Sequence, residues 1–171
     1  PGSGGSAVNM SPHKYAELIE KLHSEGFEIF LSTGPAEEKL KEKILSQLSF
    51  KPLYYKNEIF AGGSALKKTF AFISRCSAVI APSTGIMHAA AALEKPLVTL
   101  FCPIFVCTPR RWGPYMSPAA EIITPEAVSN DKNNIINQKY CIKCTGAKCK
   151  HYNCMDMIEI KEIIDKLKNL I

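Results

Sequence analysis

Val79-Ile-Ala-Pro-Ser-Thr-Gly-Ile-Met-His-Ala-Ala-Ala-Ala-Leu93 is the stretch that decides how this chain folds. A short apolar run ends at Pro82, a Ser-Thr-Gly turn follows, and an alanine-rich helix opens at once. A strand feeding a helix through a tight turn is the repeating step of α/β architecture. The turn is also an anion site in outline. The first amides of a helix lack intrahelical acceptors, the helix dipole adds partial positive charge, and Gly85 lets a ligand approach the backbone. Ser83 and Thr84 add hydroxyl donors. Two plainer roles stay open: Ser83 as a simple helix cap and His88 as a buried structural histidine.

The same alternation continues on both sides. Ser11-Pro12 is a helix start followed by Tyr15, Leu18, Ile19 and Leu22 at helical spacing, and Gly26 ends that helix. Phe27 to Leu31 reads as a buried strand that breaks at Ser32-Thr-Gly-Pro35. A helix is expected from about Ala36 to Leu48, a weaker strand near Leu53–Tyr55, and a helix after Gly62-Gly63 up to Arg75. Strands are expected at Ala78–Ala81 and Pro96–Phe101, with Thr84–Leu93 helical between them. From Pro103 to Gln138 the pattern dissolves into a Pro-rich, polar excursion with one short strand at Glu121–Ile123. Ile158, Ile160, Ile163, Ile164, Leu167 and Ile171 predict a C-terminal amphipathic helix at about 157–170, docking across the sheet. The fold class is α/β, a Rossmann-like doubly wound parallel sheet, with its ligand crevice at the carboxyl ends of the strands.

Composition sets the outer bounds. The 171 residues are 46% hydrophobic and 22% charged, enough for one real core. Lys and Arg number 21 against 16 Asp and Glu, with the surplus at Arg110-Arg111 and between Lys132 and Lys150. That excess suits an anionic ligand and falls short of a nucleic-acid-binding signature. There is no run of 18 apolar residues and no secretory-type opening, so a cytosolic chain is expected. Four of the seven cysteines form a Cys-rich loop at 141–154: Cys141, Cys144, Cys149 and Cys154, with His151 between the last two. A small structural zinc site, two local disulfides and four reduced thiols all fit this spacing. Cys76, Cys102 and Cys107 read as packing residues. Pro1-Gly-Ser-Gly-Gly-Ser6 alone could pass for a flexible linker.

Taken with their flanks, these motifs resemble a known family. Ser83-Thr-Gly-Ile-Met-His-Ala-Ala-Ala-Ala-Leu-Glu-Lys-Pro-Leu-Val-Thr-Leu-Phe-Cys-Pro103 is similar to the signature of glycosyltransferase family 9, the lipopolysaccharide heptosyltransferases. Arg111-Trp-Gly-Pro-Tyr115 looks like that family's Gly-Pro-Tyr element, and Cys141-x-x-Cys144 through Asn153-Cys-Met155 like its cysteine-bearing tail. Pro1–Ser6 with Tyr15–Ile19 resembles the opening of its C-terminal domain, so the likeness spans essentially the whole chain.

The resemblance implies that residues 1–171 are the C-terminal donor-binding half of a two-domain GT-B enzyme. The acceptor-binding N-terminal domain is expected outside this chain, together with the base that activates the acceptor. The implied reaction is inverting transfer of heptose from ADP-heptose to a lipopolysaccharide core acceptor, a lipid-linked saccharide, at the cytoplasmic face of the inner membrane. No catalytic residue is expected in this half and no cofactor is required. The implied donor-binding set is Ser3, Gly4 and Ser6 of the first loop, Glu37 for the ribose, Ser83, Thr84, Gly85 and His88, and Arg111 or its neighbour Arg110 from across the cleft. His88 matches the signature histidine, either touching ligand or orienting the turn from behind the sheet. The chain departs from the family where Ser83 stands in place of a frequent Asp, and where Val8-Asn9-Met10-Ser11 stands in place of a basic residue followed by Trp-Pro. Two other readings remain: another nucleotide-sugar enzyme of the same architecture, and a non-enzymatic module whose cysteine knuckle engages RNA or protein.

Overall fold

A computed structural model describes residues 1–2, 7–56, 63–126, 132–136 and 139–171. The expected loop residues Ser3, Gly4 and Ser6, and Gly62, lie outside these segments.

Helix α1 spans Pro12–Ser24. Ser11 caps it, its Oγ accepting from the Lys14 N–H at 3.2 Å with Pro12 in the first position, and Gly26 leaves it at a φ of +89°. That left-handed conformation is why glycine ends the helix. Strand β1 is Phe30–Thr33, three residues later than the apolar run suggests. Pairing sets its position. Its partner β2, Leu53–Lys56, aligns Leu53 with Phe30, and the Leu53 N–H donates to the Ile29 carbonyl at 2.9 Å. Thr33, expected in the break, instead completes the ladder and is buried, its hydroxyl 3.0 Å from the Tyr54 OH.

The second helix is shorter than periodicity predicts. Pro35–Glu37 is a 3₁₀ turn, and α2 runs only Glu38–Leu45. Beyond it, Gln47 and Leu48 bond back three residues, to Ile44 and Leu45, so the end tightens rather than continuing as α-helix. Helix α3 is Gly63–Arg75, β3 Val79–Pro82, α4 Gly85–Ala92, β4 Leu97–Leu100 and β5 Ala120–Ile123. The Pro-rich excursion holds a four-residue helix, α5, at Pro109–Trp112. A small antiparallel pair follows, β6 at Ile135–Ile136 and β7 at Tyr140–Cys141. The last helix, α6, is Ile160–Lys168, preceded by a 3₁₀ turn at Cys154–Met157. It is therefore shorter than the expected 157–170.

Parallel pairing joins β1 to β2, and β3 to β4 to β5. Helices cover both faces of the strands. Along β4 the side chains alternate: Val98 and Leu100 join α1 and α6 residues Leu18, Ile19, Ile163 and Leu167, while Leu97 and Phe101 join Ile73 of α3 and Met87 and Ala90 of α4. Burying one such aliphatic side chain contributes about 1.5–3 kcal/mol. The three-layer α/β class expected from the alternation is the observed one, with the parallel strands in two ladders.

Candidate functional site

The carboxyl ends of β1 and β3 open on one cavity of about 970 Å³. Its mouth is made by the segments that leave those strands.

After β3 the chain turns at Ser83–Thr84. Thr84 is the residue from which α4 departs, extended at φ −145° and ψ 172°, and no side chain caps that helix. Its hydroxyl donates back to the Pro82 carbonyl at 3.2 Å. Ser83 therefore does not cap α4, and the simple-cap role is set aside. Ser83, Thr84 and Gly85 all line the cavity. His88, one turn into α4, is exposed and lines the same cavity. This corrects both structural readings of it, as a buried histidine and as a support behind the sheet. The alanines on either side carry the burial, so the histidine is left facing outward.

Glu37 ends the 3₁₀ turn after β1. Its carboxylate accepts the Gly34 N–H at 2.7 Å, and it sits so close to the chain start that a Cβ at Gly2 would collide with it. Tyr15 donates to the Pro1 carbonyl at 3.1 Å. Burial pushes the Tyr15 phenol well above its ordinary value, with the negative charges of Glu37 and Asp156 adding to the effect. Burial also lowers the Pro1 amine, against the opposing charge of Glu37.

Two arginines line the cavity, Arg75 at the end of α3 and Arg111 of α5. Arg111 lines the cavity with its guanidinium 5.1 Å from the Trp112 ring centre, and the Trp112 indole N–H donates to the Val106 carbonyl at 3.1 Å. Gly113 follows because its N–H bonds the Pro109 carbonyl at 2.7 Å and a Cβ there would strike that same carbonyl. Arg110 is exposed and is not among the cavity-lining residues, so of this adjacent pair the structure places Arg111 at the site. Glu37, Ser83, Thr84, Gly85, His88 and Arg111 thus line one cavity from three separate parts of the chain. Ser32 and Gly34 also line it and were not anticipated. The rule that ligands sit beyond strand carboxyl ends, applied to β1 as well as β3, would have found them.

The cysteine loop lies elsewhere. Cys141, Cys144, Cys149, Cys154 and His151 surround a small space of about 30 Å³ together with Cys102. All seven cysteines are thiols. Among the described residues, no group of three or more His, Cys, Asp or Glu side chains is placed to hold a metal ion. Of the three open alternatives, the zinc site finds no geometric support among the described residues, and the cysteines stand as reduced thiols. Burial pushes the Cys154 thiol up to about 11, with neighbouring Cys141, Cys144 and Cys102 contributing. Burial does the same for Cys107, again to about 11, with Cys102 next. Cys76 donates to the Phe72 carbonyl at 3.5 Å, a packing role at the end of α3. Among the described residues no helix is long and apolar enough to cross a membrane.

A sequence profile for glycosyltransferase family 9 (heptosyltransferase) matches residues 10–154. Lipopolysaccharide heptosyltransferase 2 of Salmonella typhimurium is 32% identical over 104 residues, 60% of this chain and 30% of that protein. The chain thus spans about a third of that relative's length. Among solved structures, the Escherichia coli ADP-heptose lps heptosyltransferase II superposes with a TM-score of 0.71 at 24% identity, over 99% of this chain and 44% of that one. Escherichia coli heptosyltransferase WaaC with ADP superposes with a TM-score of 0.59 at 21% identity, over 72% of this chain and 36% of that one.

Proposed function

Since this chain belongs to glycosyltransferase family 9, the heptosyltransferases, we propose that residues 1–171 form the donor-binding, C-terminal domain of an inverting glycosyltransferase. The donor is ADP-heptose and the acceptor a lipid-linked lipopolysaccharide core saccharide. The reading is supported by Glu37, the Ser83-Thr84-Gly85 turn, His88 and Arg111 all lining one cavity that includes the strand carboxyl ends.

Each group has a task that its position suits. The uncapped first turn of α4 and the Ser83 and Thr84 hydroxyls donate to the diphosphate. Arg111 meets the same charge from the opposite rim, where a guanidinium forks well onto phosphate oxygens. Glu37, held by the Gly34 amide, accepts from the ribose hydroxyls. Its carboxylate is an acceptor only, which suits a diol and repels phosphate. His88 contacts the donor near the diphosphate. Charge builds on the departing ADP as the sugar bond breaks, so preorganised donors stabilise the transition state more than the ground state. The acceptor and its base belong to an N-terminal domain outside residues 1–171, which accords with the curated relative being about three times the matched length. The fold neighbour solved with ADP lends the same direction to the choice of nucleotide. The working site is the cytoplasmic face of the inner membrane.

Calorimetric titration with ADP, UDP and GDP, with and without a chelator, tests this. ADP binds selectively, the chelator changes nothing, and Thr84→Ala or Arg111→Ala each weakens binding about ten-fold or more, as loss of a hydrogen bond to a charged group requires. The reading fails if ADP does not bind even after the chain is joined to an N-terminal family 9 domain.

A further inference from the structure

Two thiols meet where the chain leaves β4. Cys102 lies two residues beyond that strand and is buried. Cys107 closes the 3₁₀ turn Phe105–Cys107 and is partly exposed. The two thiols share a hydrogen bond. They also stand between two spaces: Cys107 lines the 970 Å³ cavity together with Arg111, while Cys102 lines the small space among the loop cysteines. The donor-binding role uses neither thiol.

The two ends of the pair are held unequally. On one side of Cys102 the Phe101 N–H donates to the Ile123 carbonyl at 2.9 Å, and on the other the Pro103 carbonyl accepts from the Cys141 N–H at 2.7 Å. Cys107 sits on a single short turn, its N–H bonded to the Ile104 carbonyl at 2.8 Å, and the turn leaves Phe105 and Val106 exposed. A change that draws the sulfurs together therefore moves Cys107 rather than Cys102.

That turn is joined to the arginine of the site. The Val106 carbonyl accepts the Trp112 indole N–H at 3.1 Å. Thr108, the residue after Cys107, accepts the N–H groups of Arg111 at 3.0 Å and Trp112 at 3.1 Å on its carbonyl. A displacement of Cys107 thus passes through one residue to the start of α5. The Arg111 charge already acts on the Cys107 thiol.

We propose that Cys102 and Cys107 are a redox-active dithiol, which a low-molecular-weight disulfide oxidises to an intramolecular bond, and that closing this bond moves the turn carrying Arg111. The Cys107 thiolate attacks one sulfur of the external disulfide and releases a first thiol. Cys102 then attacks the Cys107 sulfur of the mixed disulfide and releases the second. The two protein thiols are oxidised, the external disulfide is reduced to two thiols, and the two protein protons go to them. A bonded pair of sulfurs closes to about 2.05 Å, far inside a thiol hydrogen bond, so the turn has to shift. Burial pushes the Cys107 thiol up to about 11, which makes it a slow attacker and a poor leaving group, so the bond forms slowly and resists reduction once formed. In a reducing compartment a pair of this kind senses redox state rather than stapling the fold. The effect on donor binding rests on the assignment of Arg111 to the diphosphate made above.

The test equilibrates the 171-residue chain in glutathione buffers of increasing oxidised fraction, with three readouts. Peptide mass spectrometry reads the link between Cys102 and Cys107 as a loss of two hydrogens. Trp112, the single tryptophan of the chain, reports the turn and α5 through its emission. Calorimetry reads ADP affinity. Closure of the bond moves the Trp112 emission and weakens ADP binding about ten-fold, as loss of one charged contact requires, and dithiothreitol reverses both. Cys107→Ser loses the link and the emission response, and so does Cys102→Ala, which keeps the buried site apolar. Cys144→Ser, at the exposed thiol, keeps both. The proposal is overturned if Cys102 and Cys107 stay unlinked throughout, if the link forms with the Trp112 emission unmoved, or if Cys144→Ser abolishes the response. ADP affinity equal in both forms, with the emission moved, overturns the coupling to Arg111. ADP binding to neither form counts against the donor assignment, and the mass and emission readouts still decide the dithiol.

Discussion

Single side chains separate those that support the molecule from those that face its opening. The Thr99 hydroxyl is buried in the middle of β4 without a hydrogen-bond partner among the described residues. Thr99→Val keeps the shape and removes the orphan, and should raise stability by about 1 kcal/mol in urea unfolding. The thiols give a second prediction. Burial holds Cys107 and Cys154 at about 11, whereas Cys144 is exposed, so iodoacetamide at pH 8 should modify Cys144 well before either. The linkage has a definite sign. A thiol that titrates near its ordinary value when unfolded and near 11 when folded binds its proton more tightly in the folded state. Its stabilisation is complete below the ordinary thiol range and is lost as pH rises toward 11. Stability measured at pH 8 and pH 11 should therefore fall, and less so in Cys107→Ser or Cys154→Ser. At this scale the sequence revealed the residue types of the site but not which of two adjacent arginines faces it. That choice depends on the rotation of α5, a four-residue helix set by the Gly113 contact with Pro109.

The elements differ in what holds them. Helix α1 depends on its start, where Ser11 caps Lys14 and its own N–H donates to Asp156 at 2.7 Å, tying the helix to the C-terminal segment. Ser11→Ala should cost about 1 kcal/mol. Helix α6 depends on its buried face. Ile163→Ala should cost about 2–5 kcal/mol, whereas Lys166→Ala, which breaks the partly exposed 2.8 Å pair with Glu121 of β5, should cost under about 1 kcal/mol. Chemical denaturation of the three variants ranks them. Helix positions were readable from periodicity because their buried faces are local patterns. The bounds of β1 were not, because they follow from pairing with β2, which lies some twenty residues further along the chain.

Across the whole molecule, protection should follow depth in the sheet. The β4 residues are buried throughout, while β2 is largely exposed. Hydrogen exchange at Val98 and Thr99 should therefore track global unfolding, and exchange at Tyr54 and Tyr55 should proceed through local opening. The sequence by itself determined the α/β class, the helix faces, the family and the Ser83-Thr84-Gly85 turn, because each is written in neighbouring residues through period, capping chemistry and a local motif. Tertiary structure alone decided that Glu37, His88 and Arg111 line one cavity, and that Cys102 and Cys141 are buried while Cys144 is exposed. These depend on contacts between segments tens of residues apart, and a local pattern fixes which way a side chain points along its own element without specifying what the fold places opposite.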